Sequence, residues 1–429
     1  MSHKDAAAPS ARAAGADPRA AFVLGILCFV YILNFLDRQL LSILAKPIQD
    51  SLHLSDSQLG RIGGLYFAVF YCFISIPVGW LADRTNRVGV LSIACALWSA
   101  ATAACGFAAS YPQLVAARLA VGIGEAGGVP PSYAIISDTF PPGRRGTALG
   151  IYNLGPALGA ALGVAFGASI AAAYDWRTAF IVLGAVGVVT ALAVIVLVRE
   201  PRRGGLDSVP SSSQPQAKRA GLFATIGAFF TNPALLLIAL AGGATQFITY
   251  GMLNFNTLFL MREKGMTLQE VALWYAPVVA FGMGGGIAIS GRLIDAFAKR
   301  SRQAYALVPA AGLVIALPFF IGFVWAPTWP LATALLIGPM FFNFFFLSVA
   351  VVMVQEVVRP DQRVLAGALL LLVMNLIGLG LGPTWVGAAS DFFRPSYPKH
   401  SLQIAFYTLL PFYGLALLLF LRLARVLRR

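Results

Sequence analysis

The sequence predicts an all-α membrane protein in which twelve transmembrane helices form two pseudo-symmetric six-helix bundles. Three observations carry that expectation. The chain is 59% hydrophobic and only 11% charged, with a mean hydropathy of +0.79, whereas a water-soluble globule usually carries about 25% charged residues. Apolar runs of about 20 residues, the length at which a helix crosses about 30 Å of hydrocarbon, recur along it. The third observation is that motifs in the first half reappear, in order and at matching places, in the second.

The apolar runs place helices at 21–45, 57–82, 88–109, 112–135, 146–173, 178–198, 233–260, 268–292, 304–325, 329–355, 363–389 and 401–423. Residues 1–20 have no apolar core of their own and read as a disordered cytosolic tail, not a cleaved leader. Residues 199–221, REPRRGGLDSVPSSSQPQAKRAG with its flanks, turn basic and rich in Ser, Pro and Gln, the composition of a solvated linker. The chain thus divides into an N-terminal bundle (21–198), this linker, and a C-terminal bundle (222–429).

A net charge of +14 could signal nucleic acid, but the positions of the 31 Lys and Arg argue for topology. With the N-terminus inside, 22 fall in cytosolic segments, seven in outer loops and two, Arg38 and Arg118, within spans. That bias orients both termini to the cytosol of a plasma membrane, the bacterial inner membrane being the expected setting. Cys28, Cys72, Cys95 and Cys105 lie in apolar spans as small hydrophobes. His3, His53 and His400 are far apart, so no metal-ligand spacing exists, and no metal or cofactor is expected. Gly122-Ile-Gly124-Glu-Ala-Gly127 matches G-x-G-x-x-G formally, but it lies inside a membrane span without the strand–turn–helix setting of a dinucleotide site. No P-loop, nucleophile–base pair or metal constellation supports an ATP-driven pump or an enzyme.

The repeat is concrete. Gly79-Trp-Leu-Ala-Asp83-Arg84-Thr-Asn-Arg87 follows the second span and Gly291-Arg-Leu-Ile-Asp295-Ala-Phe-Ala-Lys299-Arg300 the eighth, both G-x3-D with basic residues after it. Pro142-Gly-Arg-Arg145 and Pro360-Asp-Gln-Arg363 precede the fifth and eleventh spans, which contain Gly155-Pro156 and Gly382-Pro383. Parallel halves related by an axis along the membrane normal are a plan of secondary transporters, with substrate bound near mid-membrane between them.

Over nearly the whole chain after the tail, these features resemble the major facilitator superfamily. Gly79 to Arg87 is similar to its loop signature after helix two, with Asn86 for the usual Gly and Val88 for the second basic residue. Arg118 to Glu125, RLAVGIGE, resembles its fourth-helix signature, and Trp176-Arg177 with Phe180 the start of helix six. Asn34-Phe-Leu-Asp37-Arg38, Gly122-Ile-Gly-Glu125-Ala-Gly-Gly and Ser137-Asp138-Thr-Phe-Pro-Pro are most similar to the spinster branch, which implies transport of lysolipids or sphingolipid phosphates. The organic-anion symporter branch shares the Asp-Arg pair and is the second reading; a receptor of this fold that binds without flux is a third. The resemblance also implies that Asp83 and Asp295, with Gly79, Arg84, Arg87, Arg145, Gly291 and Arg300, form a gate closing the cytosolic side.

The chemistry should lie with four charges inside apolar spans: Asp37, Arg38, Arg118 and Glu125. A charge at the bilayer centre costs at least about 2.5–3.5 kcal/mol on insertion scales, so such residues face a cavity or each other and mark a pathway. Arg118, Gly122, Glu125 and Ser132 share one face of the fourth span, and Asn34, Arg38 and Ser42 one face of the first, with Asp37 about 100° around from Arg38. Asp37 and Glu125 are candidate proton or substrate-charge sites, Arg118 the competing partner of Glu125, and Arg38 a partner or an anion anchor. A static ion cluster stapling the two helices is the structural alternative.

Helix five carries Gly155, Gly159, Gly163 and Gly167, a groove for a neighbouring helix. The second half has no mid-membrane charge; Tyr250, Asn254, Asn256, Asn343 and Asn375 supply its polarity. A charged first half and an apolar, Phe-rich second half suit an amphiphile with an ionic head, though Phe341 to Phe346 facing lipid would give the same pattern. The expected partners are a small-molecule or lipid substrate, protons and the bilayer, with no nucleic acid.

Overall fold

The computed structural model describes residues 18–202, 222–359 and 362–428, and among them helices are the only regular elements. Most of the predicted tail and linker lies outside the described residues. Eleven helices are long and apolar enough to cross a membrane: α1 Arg19–Ile43, α2 Asp56–Ala82, α3 Arg87–Gly106, α5 Gly143–Ala173, α6 Trp176–Leu197, α7 Pro233–Arg262, α8 Leu268–Phe297, α9 Ala304–Trp325, α10 Trp329–Val357, α11 Leu365–Phe393 and α12 Ser401–Leu427.

The twelfth span departs from the expectation of one continuous helix over 112–135. It is two helices, Tyr111–Glu125 and Val129–Thr139, joined by a turn at Ala126-Gly127-Gly128, and together they form α4. The cause is local. Pro130 and Pro131 have no N–H to donate to the carbonyls of Ala126 and Gly127, and two glycines lower the cost of leaving helical geometry. Glu125 therefore ends the first segment in the middle of the span.

Start signals are well formed. Ser55 and Gln58 make a reciprocal capping box before α2, Thr267 and Glu270 another at α8, and Asn86 and Asn232 cap α3 and α7. Asp175, just outside α6, accepts from the Thr178 backbone N–H at 2.6 Å, which holds its carboxylate below the usual range.

Within each half, small residues set the approach of helices. Gly155, Gly159, Gly163 and Gly167 of α5 pack on Tyr31, Ile32, Leu36 and Leu40 of α1, so the expected groove is filled by α1. A methyl group at Gly159 would collide with the Ile32 carbonyl, whereas nothing stands within 4 Å of one at Gly150. Gly159→Val should therefore abolish the monodisperse peak in size-exclusion chromatography while Gly150→Ala leaves it unchanged; equal behaviour of the two would refute this packing role. In the C-terminal half, Phe342 to Phe346 are buried or half-buried and pack with Gly286 and Gly312 of α8 and α9, facing neither lipid nor a cavity as a group.

The halves meet along α2–α11 and α5–α8. Gly60 and Gly64 of α2 cross the backbone of α11 at Pro383 and Gly380, where added side chains would meet carbonyl oxygens. All these crossings lie on the face away from the ends of α6 and α7 that flank the linker. On the linker face, by contrast, a Cβ at Gly146, Gly150, Gly291 or Gly367 would meet nothing within 4 Å, and one at Gly79 only Pro130 of its own half. The molecule is thus closed at the far face and parted at the linker face. π-Helical turns interrupt the seam helices at Ile62–Tyr66, Val271–Tyr275, Ala280–Gly284 and Leu376–Leu381, the first two at equivalent places of the two halves.

Candidate functional site

Helix α1 and the broken helix α4 bring the four charges together. The Arg38 Nε donates to Glu125 Oε2 at 2.6 Å, and the Arg118 guanidinium donates to Asp37 Oδ2 at 3.4 Å. Each ion pair crosses between helices. The expected Arg118–Glu125 pairing is not the one formed: seven residues along a helix separate those Cα atoms by about 10 Å. Glu125 takes Arg38 instead, and Arg118 takes Asp37.

Asp37 and Glu125 are 1% exposed and Arg118 3%, so three of the four charges are sealed from solvent. Arg38 is the one that reaches an opening. Its guanidinium carbon lies 4.7 Å from the ring centre of Tyr71, 4.9 Å from Phe35 and 5.1 Å from Phe67, a three-sided aromatic cage. Several buried atoms nearby have no hydrogen-bond partner: Asn34 Nδ2 and Oδ1, Asp37 Oδ1, Arg118 Nε and Glu125 Oε1. Each carboxylate thus spends one oxygen on an arginine and keeps the other available for a proton or a donor.

Arg38 and Arg118 line a cavity of about 30 Å³ between the halves, closed from the other side by Tyr250 and Asn254 of α7. Ser42 of α1 donates to the Leu253 carbonyl at 2.6 Å, joining the halves at this apex. The Asn254 side-chain oxygen lies over Gly63, where any Cβ would displace it. Arg38, Arg118, Tyr250 and Asn254 thus line one cavity.

Other predicted residues have different roles. Ser132 donates to the Gly128 carbonyl at 2.8 Å and so ties the α4 turn. Asn343 is 1% exposed and exchanges hydrogen bonds with the Tyr413 hydroxyl, a satisfied contact inside the C-terminal half and not a cavity residue. Asn256 is likewise buried on Tyr275. Asn375 accepts from Gln246 at 3.0 Å, joining α11 to α7.

Of the predicted gate, the Asp83 side chain lies outside the described residues. Arg87 pairs with Asp138 of α4, Arg145 donates to the Phe140 carbonyl at 2.9 Å, and Arg84 stacks on Trp80. Asp295 and Arg300 are exposed on the parted linker face. Gly79 and Gly291, named with the gate, stand clear of the other half because that face is open. The aromatic cage was not foreseen; Phe67 and Tyr71, four apart and stacked with ring centres 5.6 Å apart, were its visible signal.

The sequence pattern of the Major Facilitator Superfamily matches residues 27–383. An MFS-type efflux pump of Mycolicibacterium smegmatis is 31% identical, over 91% of this chain and 89% of that protein. The human protein spinster homolog 1 is 28% identical over 91% of this chain and 77% of its own length. A crystal structure of a bacterial homolog to the human lysosomal transporter spinster, inward-facing and unoccupied, superposes with a TM-score of 0.88 and 28% identity, covering 96% of this chain and 98% of that one. The chain belongs to the Major Facilitator Superfamily, is similar to its spinster branch, and is an integral membrane transporter.

Proposed function

We propose that this transporter couples protons to the movement of an amphiphilic anionic molecule, of the lysophospholipid or sphingolipid-phosphate kind, by alternating access. The observation that carries this reading is Arg38, the one partly accessible charge of the cluster, held by Glu125 at the apex of the cavity between the halves. An arriving phosphate or carboxylate competes with Glu125 for the guanidinium, whose planar fork suits two parallel hydrogen bonds to such a group. Once displaced, Glu125 is a buried carboxylate without its counter-charge, and binding a proton is the cheapest way to neutralise it. Anion and proton are thereby taken together. Asp37, with one oxygen unpartnered, offers a further station for that proton, and the unpaired amide of Asn34 a hydrogen-bond partner for it.

The distribution of Lys and Arg supports placing the linker face, and both termini, in the cytosol of a plasma membrane. The open side would then be the cytosolic one. Asp83 and Asp295 are proposed to meet the opposite half when that side closes.

Thermal unfolding of the purified protein tests the substrate class. Lysophospholipids and sphingoid phosphates should raise the midpoint with concentration, more at pH 6 than at pH 8, since stabilisation follows RT ln(1 + [L]/Kd), about 2.7 kcal/mol at a hundredfold excess over Kd. Stabilisation by hexuronate or dicarboxylates with no response to lysolipids would replace this reading by organic-acid symport.

A further inference from the structure

We infer that Gln246 and Asn375 form a neutral subsite that recognises a free hydroxyl on the cargo, so that the carrier selects phosphate amphiphiles with an open hydroxyl beside the phosphate over those without one. The inference deepens the substrate reading above and rests on it. Gln246 of α7 is 5% exposed. Its amide nitrogen donates to Asn375 Oδ1 of α11 at 3.0 Å, while its own Oε1 is buried without a hydrogen-bond partner. A buried acceptor left unpaired calls for an occupant.

One bond between two side-chain amides uses one donor and one acceptor. What remains here is the Gln246 oxygen and the Asn375 amino group, on a side chain that is only half-buried. Turning both amides over exchanges the two roles and leaves the same complementary pair. A hydroxyl is the smallest group that donates to one and accepts from the other at a single place. An ionised phosphate only accepts and an ammonium only donates, and among the described residues neither amide bonds a charged side chain that would balance them.

The position suits a cargo whose head has reached Arg38. Tyr250 and Leu379 both line the Arg38 cavity. Gln246 stands one helical turn, about 6 Å, toward the open linker face from Tyr250, and Asn375 one turn in the same direction from Leu379. That step is comparable to the separation of a phosphate from the next hydroxyl of a glycerol or sphingoid head. The backbone holds the pair in place: α11 crosses α7 at Gly378, where a methyl group would collide with the Gln246 Cβ. A π-helical turn over Leu376–Leu381 begins directly after Asn375, a bulge often found at functional positions.

The internal repeat gives independent support. The offset that carries Ser55 to Thr267 and Gly79 to Gly291 also carries Asn34 to Gln246 and Arg38 to Tyr250. Each half thus presents a buried amide with an unpartnered oxygen one turn before its residue at the apex of the cavity.

Isothermal titration of the purified full-length protein tests this with lauroyl lysophosphatidic acid and the analogue that carries hydrogen in place of its glycerol hydroxyl. Wild type should bind the hydroxylated ligand about tenfold or more tightly, since its loss leaves the Gln246 oxygen unpaired again. Gln246→Met and Asn375→Leu should each bring that ratio to about one by weakening the hydroxylated ligand alone, with affinity for the deoxy analogue unchanged. Equal affinities in wild type overturn the subsite and leave the anion site standing. A preference that both variants retain also overturns it, as does equal weakening of both ligands, the mark of a purely structural joint between α7 and α11. Should Gln246→Met fail to fold, the half-buried Asn375→Leu decides, and the wild-type ratio is read without any variant. Wild type that binds neither ligand but binds hexuronate or dicarboxylates removes the substrate reading and the subsite with it.

Discussion

Glu125→Gln should collapse pH-driven accumulation of substrate to a ratio of about one while sparing exchange of internal for external substrate. With one proton per anion, a gradient of one pH unit supports about tenfold accumulation. The amide keeps a carbonyl oxygen for the Arg38 Nε bond seen at 2.6 Å, so the fold retains its α1–α4 joint. It cannot take up a proton at physiological pH. Anion binding should also lose its dependence on pH, because nothing charged competes for the guanidinium. Proteoliposomes loaded with an imposed pH gradient and a labelled lysophospholipid measure both quantities. Accumulation equal to wild type would exclude Glu125 from the coupling and leave it as a structural staple.

Arg38→Gln should weaken binding of the anionic head by about a hundredfold or more. Two charge-assisted hydrogen bonds at roughly 1.5–3 kcal/mol each are removed, and the aromatic cage of Phe35, Phe67 and Tyr71 loses the cation it surrounds. Arg38→Lys keeps the charge but not the planar fork, so an intermediate loss is expected. Arg425→Gln, exposed near the end of α12, serves as the control that should change nothing. Isothermal titration or thermal shift with dodecyl phosphate reads the series, and an unaltered affinity in Arg38→Gln would move the anion site elsewhere.

What the sequence made legible follows from how local each cause is. Span positions depend on runs of apolar side chains, and eleven of the twelve emerged as helices long and apolar enough to cross a membrane. The break in α4 was also written locally, in Gly127-Gly128 followed by Pro130-Pro131, but an apolar run masks such punctuation when hydropathy alone is read. The four charges were legible because each is so costly in oil. Their pairing was not, since it depends on depth and on how far α1 and α4 are rotated, which no single-helix periodicity encodes. The burial of Asn343 was hidden for the same reason: its Tyr413 partner is 70 positions away.

The two acids and two arginines of the central cluster sum to zero. On the proposed cycle the empty carrier returns without moving net charge through the membrane's electric field, and a monoanion arriving with one proton preserves that balance. An uncompensated charge would exchange about 2.3 kcal/mol with a potential of 100 mV; here the voltage has nothing to act on. Concentration gradients alone then set direction, and a doubly ionised head would be the cargo that voltage can push or hold back.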